Sequence, residues 1–241
     1  SKYSEMAGIM LSRGCVFKCD FCTAQGMCKG YRNMGIAHAL DEVRRVIGSY
    51  GIRYFAFHDL MLNTSKDIIY DFCDEIIKRK IEATFFAMMS ISAQNLDFKY
   101  LEKAGFNEIG VGIEIPSDKR KDIGKKLSFN KTVDFIKKIS DAGIFVRGYL
   151  ILGWPWETSK EELVEEYSNA LKLLPINALR INFLTTFPGT VIYEKYKDFC
   201  IYQPIEECYE HFTTMEPVLK FKISPIELEE ARIEIMQNYY F

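Results

Sequence analysis

The chain has 241 residues, 48% of them hydrophobic, which is enough for one sizeable core, and α/β barrels commonly reach this length as a single domain. Its 31 basic and 33 acidic residues leave a formal charge of −2 and are spread along the chain, giving neither a basic footprint for nucleic acid nor a polybasic membrane patch. No apolar run approaches the roughly 20 residues of a membrane span, and no charged-then-apolar leader opens the sequence, so the expected compartment is the cytoplasm.

In chain order, residues 7–12 read as a strand that ends on a cysteine-rich loop, and residues 38–49 carry a helical stripe of Leu40, Val43, Val46 and Ile47. Residues 53–59 form a second strand. Residues 66–80 form a second helix, with Ile69, Phe72, Cys73, Ile76 and Ile77 on one side. The alternation continues with a strand at 82–89, a helix at 97–104 closed by Gly105 and a strand at 108–115. A helix at 132–142 closed by Gly143, a strand at 144–152, a helix at 161–174 stopped by Pro175 and a strand at 178–185 complete the series.

Strand and helix alternating in this way imply parallel strands joined by right-handed crossovers. The strands are nearly continuously apolar, as when both faces are covered. A flat doubly wound sheet would also fit, but a cysteine loop stands where its Gly-rich phosphate turn belongs. The expected fold is therefore a partial, six-stranded (β/α) barrel over residues 1–190, with a C-terminal extension, 191–241, packed on the same domain. After Pro188 the alternation is lost, and a last helix starts near Ser224 and Pro225, a plausible N-cap and first-turn proline.

Seven cysteines, an odd number, do not suggest a disulfide framework, and three of them fall within eight residues: Cys15, Cys19 and Cys22. Three thiolates on one loop can each bind one corner iron of a cubane [4Fe–4S] cluster, leaving a fourth iron without a protein ligand and open to chemistry. Zinc would want a fourth ligand, and Cys28 and His38 stand at no usual zinc-knuckle interval.

This spacing, with Phe21 before the last cysteine, resembles the CxxxCxΦC signature of the radical S-adenosylmethionine (SAM) superfamily, nearest to the class that often carries a cobalamin-binding domain. The resemblance implies that Cys15, Cys19 and Cys22 ligate the cluster and that SAM chelates the open iron. Reductive cleavage then gives a 5′-deoxyadenosyl radical that removes hydrogen from a small-molecule or peptide substrate, with a reductase, flavodoxin or ferredoxin as electron donor. A non-catalytic iron–sulfur or zinc module is the alternative of a different class.

The resemblance extends to other segments. Residues 55–59 with Asn63 resemble the second-strand segment, where Asp59 would accept hydrogen bonds from the SAM ammonium or else cap a helix. Residues 110–118 resemble the fourth strand, where Glu114 would meet the SAM ribose or amino group, or pair with Lys125 or Lys126. Residues 148–158 resemble the fifth strand and its Gly-x-Pro-x-Glu-Thr turn; the resemblance implies that Gly153 there, and Phe21 of the cysteine signature, lie beside the cofactor. Alternation sets Phe145, Arg147, Tyr149 and Ile151 on one face of that strand, so Arg147 points into the barrel, toward the SAM carboxylate, an anionic substrate group or Glu114. Residues 184–190, with Pro188 and Gly189, resemble the segment closing the barrel mouth.

Two features depart from that class: no Arg ends the third strand, and no cobalamin domain or Asp-x-His-x-x-Gly motif fits before the first strand. The sequence therefore leaves cobalamin possible but unsupported, with a cobalamin-dependent methyltransferase fragment as the second enzymatic reading. Among the remaining cysteines, Cys73 reads as core, and Cys28, Cys200 and Cys208 lack the spacing of a second cluster. Cys200, Cys208, Tyr202 and Tyr209 are equal candidates for a hydrogen-atom donor, and His211 for a substrate contact or a surface histidine.

Overall fold

Six parallel strands pair in chain order in the computed structural model, which describes residues 5–28, 30–91, 96–125 and 128–241. They are β1 (Met6–Ile9), β2 (Tyr54–Phe57), β3 (Thr84–Met89), β4 (Phe106–Glu114), β5 (Phe145–Leu152) and β6 (Ala178–Phe183). β1 and β6 stay at the two ends of the sheet, so the barrel is partial and open. Helices α1 (Ile36–Tyr50), α2 (Lys66–Lys78), α3 (Phe98–Lys103), α4 (Phe129–Asp141) and α5 (Lys160–Leu171) make the crossovers. Each crossover brings the chain back to start the next strand at the same end, so all strand exits gather on one rim.

Side-chain periodicity decides which face of each element is covered. Ala39, Leu40, Val43 and Val46 on α1, and Ile69, Phe72, Cys73 and Ile76 on α2, are buried at helical spacing. They meet the alternate strand residues Phe55, Phe57, Phe85, Val111, Val146 and Leu150 in one core. At its centre Phe57 stacks on Phe106 with ring centroids 5.6 Å apart, and Phe72 meets Phe85 edge-on at 5.3 Å. The opposite strand face, with Tyr54, Phe86, Met88, Arg147 and Tyr149, is only half-buried, because the sheet curves around a lumen there. The near-continuous apolar reading of the strands thus holds for the helix-facing set and weakens on the inner one.

The C-terminal extension adds α6 (Val191–Tyr196) and α7 (Pro225–Tyr240), with short helical turns between them. The sequence reading does not anticipate α6; its start is fixed by Thr190, whose hydroxyl accepts from the Tyr193 N–H at 3.1 Å. Ser224 and Glu227 close a capping box on α7, which lies against α5. The Phe183 N–H donates to the Thr214 carbonyl at 2.8 Å, so this extension covers the free edge of β6. Phe85 is fully buried among four phenylalanines. Phe85→Ala should cost about 3–5 kcal/mol, read as a lowered urea midpoint with one cooperative transition.

Candidate metal and cofactor site

The chain leaves β1 through a two-residue antiparallel ribbon, Ser12–Arg13 with Arg32–Asn33, which brackets the cysteine loop at its base. The far side of the loop is strapped to other rim segments. The Asp20 N–H donates to the Ile123 carbonyl at 3.4 Å, and the Ile192 N–H donates to the Asp20 carbonyl at 3.1 Å. Phe21 stands edge-on to Trp154, which follows β5, with centroids 6.3 Å apart. Trp154 in turn stacks on Trp156 at 5.1 Å.

Cys15, Cys19 and Cys22, all half-buried, line one cavity of about 100 Å³ with Phe21, Glu114 and Lys125. Burial pushes the Cys19 thiol up to about 11, with Lys125 pulling the other way, and burial likewise raises Cys22. Thiols so desolvated ionise when a cationic centre takes them as ligands. Among the described residues no three His, Cys, Asp or Glu groups converge as one metal ion would require. Soft sulfur donors spread around one cavity suit a cluster, whose corner irons stand apart, and three of them leave one corner open.

A second cavity, of about 240 Å³, adjoins the first and shares Phe21, Met61 and Glu114 with it. Met88, Tyr149, Ile151, Asn182, Phe187 and Thr214 are among its other lining residues, so β3, β4, β5, β6 and the extension all contribute. Sequence reasoning missed Met61, Met88, Asn182 and Thr214, since only the folded chain brings these strand, loop and extension residues side by side.

Glu114 sits between the two cavities in a backbone conformation that non-glycine residues seldom adopt, φ +64°. A register shift in the β4–β5 pairing between Gly112 and Glu114 turns the chain there. The Glu114 carboxylate meets Lys125 Nζ at 3.3 Å, each side chain 11% exposed. A Cβ on Gly112 would lie 2.4 Å from Glu114 Oε1, so a side chain there would push this carboxylate aside. Of the two expected lysine partners, the structure brings in Lys125; Lys126 lies outside the described residues.

Asp59 is placed differently from either expectation. At 3% exposure it neither caps a helix nor faces the cavities. Its carboxylate accepts from the Leu11 N–H at 2.9 Å, the Ser12 N–H at 2.6 Å and the Ser12 hydroxyl at 2.5 Å. Burial raises this carboxyl, and those bonds, with one from its own N–H, pull it back. Arg147 points inward as expected, but its partner is Glu108, Nε to Oε1 at 2.7 Å, and not Glu114. The register explains this correction: Arg147 lies opposite Gly110, four residues before Glu114, or about 13 Å along the strand. The Glu108–Arg147 pair, joined by the Tyr54 hydroxyl at 3.3 Å, therefore sits toward the end of the barrel away from the cysteines.

Gly153 adopts φ +91° after β5, and its N–H, with that of Trp154, donates to Glu157 Oε2 at 2.7 and 2.9 Å. The Tyr167 hydroxyl donates to Glu157 Oε1 at 3.1 Å. Gly153 thus spends its N–H on the turn itself, and Glu157 is what shapes the Gly-x-Pro-x-Glu-Thr segment. In the extension, Cys200 is buried and Cys208 half-buried. Tyr202 stacks on His211 at 3.7 Å, and His211 Nδ1 lies 3.1 Å from Glu216 Oε1. Tyr209 is exposed, Cys28 is half-buried outside both cavities, and Cys73 is core as expected.

An open α/β barrel with three cysteines on its first rim loop defines a class of metal-cluster protein. Residues 9–167, more than half of the chain, match the model of the radical SAM superfamily, and the chain belongs to that family. An uncharacterized methyltransferase of Pyrococcus horikoshii is 26% identical over 219 residues, 89% of this chain and 46% of its own length. The anaerobic magnesium-protoporphyrin IX monomethyl ester cyclase of Cereibacter sphaeroides is 24% identical over 95% of this chain and 37% of its own length. The chain thus spans less than half of either relative. Among solved structures, the radical SAM methyltransferase TsrM of Kitasatospora setae, with cobalamin and [4Fe–4S] cluster bound, superposes with a TM-score of 0.68 at 18% identity. That superposition covers 85% of this chain and 37% of the other.

Burial raises the Glu157 carboxyl from 4.5 to about 7. The folded protein therefore holds a proton there that the unfolded chain releases, and stability falls as pH rises from about 4.5 through 7. Wild type should lose up to roughly 3 kcal/mol more than Glu157→Gln between pH 5 and pH 8, measured by paired urea titrations at the two pH values.

Proposed function

We propose that this chain is a radical SAM catalytic unit in which Cys15, Cys19 and Cys22 hold a [4Fe–4S] cluster and SAM occupies the adjoining cavity. One observation carries the reading: the three thiols line a cavity that shares Phe21, Met61 and Glu114 with a larger one beside it, inside the barrel. When bound, cluster and SAM supply a 5′-deoxyadenosyl radical that takes a hydrogen atom from substrate. The chain's own residues then bind, orient and exclude water. Glu114 stands where the two cavities meet and accepts hydrogen bonds from the SAM ribose or amino group, its charge balanced by Lys125. Phe21 and Ile151 give an apolar wall, and Gly153 shapes the rim beside the cofactor.

The substrate is a small molecule or peptide entering the lumen, and a reductase, flavodoxin or ferredoxin supplies the electron, with cytoplasm as the compartment. Cys200, Cys208, Tyr202 and Tyr209 remain the candidates for returning a hydrogen atom, from an extension, 191–241, packed on the 1–190 core. A methyltransferase among the relatives and the cobalamin bound in TsrM support cobalamin-dependent methyl transfer as the second reading; cobalamin added to the purified protein should then bind and be methylated.

Anaerobically reconstituted protein given dithionite and SAM should release 5′-deoxyadenosine, and Cys22→Ala should release none above background. A cluster-loaded protein that forms no product would contradict the proposal. Glu114→Gln should keep its iron while needing about tenfold more SAM for half-maximal cleavage, the factor for one charge-assisted hydrogen bond.

A further inference from the structure

We infer that Asp59 is a positioning residue for the cluster loop: from the end of β2, its buried carboxylate fixes the exit of β1 and thereby sets Cys15 against Cys19 and Cys22. The inference rests on reading those cysteines as cluster ligands. The geometry that carries it is a single carboxylate gathering three donors, the Leu11 N–H, the Ser12 N–H and the Ser12 hydroxyl. Arg13 and Gly14 alone separate Ser12 from Cys15, a reach of at most about 10 Å. A fixed Ser12 therefore confines Cys15 to a small volume.

The other two ligands are held from elsewhere. Cys19 precedes Asp20, which is tied to Ile123 and Ile192, and the Cys22 N–H donates to the Cys19 carbonyl at 3.1 Å. Those straps do not reach Cys15. Its side of the loop hangs from the β1 exit, held by the Ser12–Arg13 ribbon and by the Asp59 clamp, and the clamp is itself anchored on the other side. Four residues on, the buried Asn63 donates through Nδ2 to the Ser90 carbonyl at 2.7 Å and accepts from the Ser90 N–H at 2.8 Å. The β2 exit thus braces the exits of β1 and β3 together, and Ser90 lines the cysteine cavity.

The chemistry selects a carboxylate. Three converging donors need a group that only accepts, whereas the isosteric amide of Asn turns an N–H₂ toward one of them and leaves buried donors unpaired. Asp59 can also be removed without emptying the core, because it lies on the rim and not among the packed aromatics.

The test compares Asp59→Asn and Ser12→Ala with wild type and with Phe85→Ala as a packing control, all in the full chain. Iron release from the cluster-loaded protein to a ferrous chelator is timed, and the apoproteins are melted. Asp59→Asn should melt within a few degrees of wild type yet release iron at least about tenfold faster, as loss of an outer-shell partner does. Ser12→Ala, which keeps two of the three bonds, should fall between. Release at the wild-type rate from Asp59→Asn would overturn the inference. So would iron loss that follows the drop in melting temperature equally in Asp59→Asn and Phe85→Ala. If the wild type builds no cluster, the functional reading fails, and labelling of Cys15 in the apoprotein by a disulfide reagent decides the brace separately. Faster labelling in Asp59→Asn supports it, and equal rates overturn it.

Discussion

A polar side chain buried at the rim of this barrel must find a partner, and the partners within reach are backbone groups of the neighbouring strand exits. Asp59 takes the exit of β1, Asn63 takes that of β3, and Glu157 takes the two N–H groups that begin the turn after β5. Asp59 and Asn63 thereby stitch three rim segments to one another, while Glu157 closes its own turn. A parallel sheet brings all its strand exits to this one end, so the stitching falls where three thiols, a carboxylate and an apolar cavity meet.

The lumen divides along its axis. Toward the strand starts, Glu108, Arg147 and Tyr54 satisfy one another, which keeps their charges away from the chemistry. Toward the strand exits, the walls are Met61, Met88, Tyr149, Ile151 and Phe187, and the charged pair Glu114–Lys125 stands between the two cavities. The strain in the Glu114 backbone and the space left by Gly112 are what set that carboxylate there. A low-dielectric chamber with one balanced charge pair suits radical chemistry that must be kept from water.

Local signals in the sequence carried most of this. The stripes of α1 and α2 and the spacing of Cys15, Cys19 and Cys22 depend on neighbours within one turn or one loop, and the structure holds them nearly where the sequence puts them. β6 ends two residues early by its pairing, yet the Leu184 N–H still bonds the Leu152 carbonyl. Helix α6 escaped because a six-residue segment has too few turns to show a stripe. The partners of Asp59 and Arg147 escaped for a different reason. Both depend on which residues of separate strands stand abreast, β1 against β2 and β4 against β5, and no periodicity within one element announces that.

The central claim is that the three thiols leave one iron open toward the cavity that receives SAM. Electron paramagnetic resonance of the dithionite-reduced, reconstituted protein tests it most directly. A signal of a reduced [4Fe–4S] cluster whose g-values move when SAM is added, and do not move with 5′-deoxyadenosine alone, is the predicted result. A cluster signal indifferent to SAM, or a protein that binds zinc through these cysteines and assembles no iron–sulfur cluster, would contradict the account.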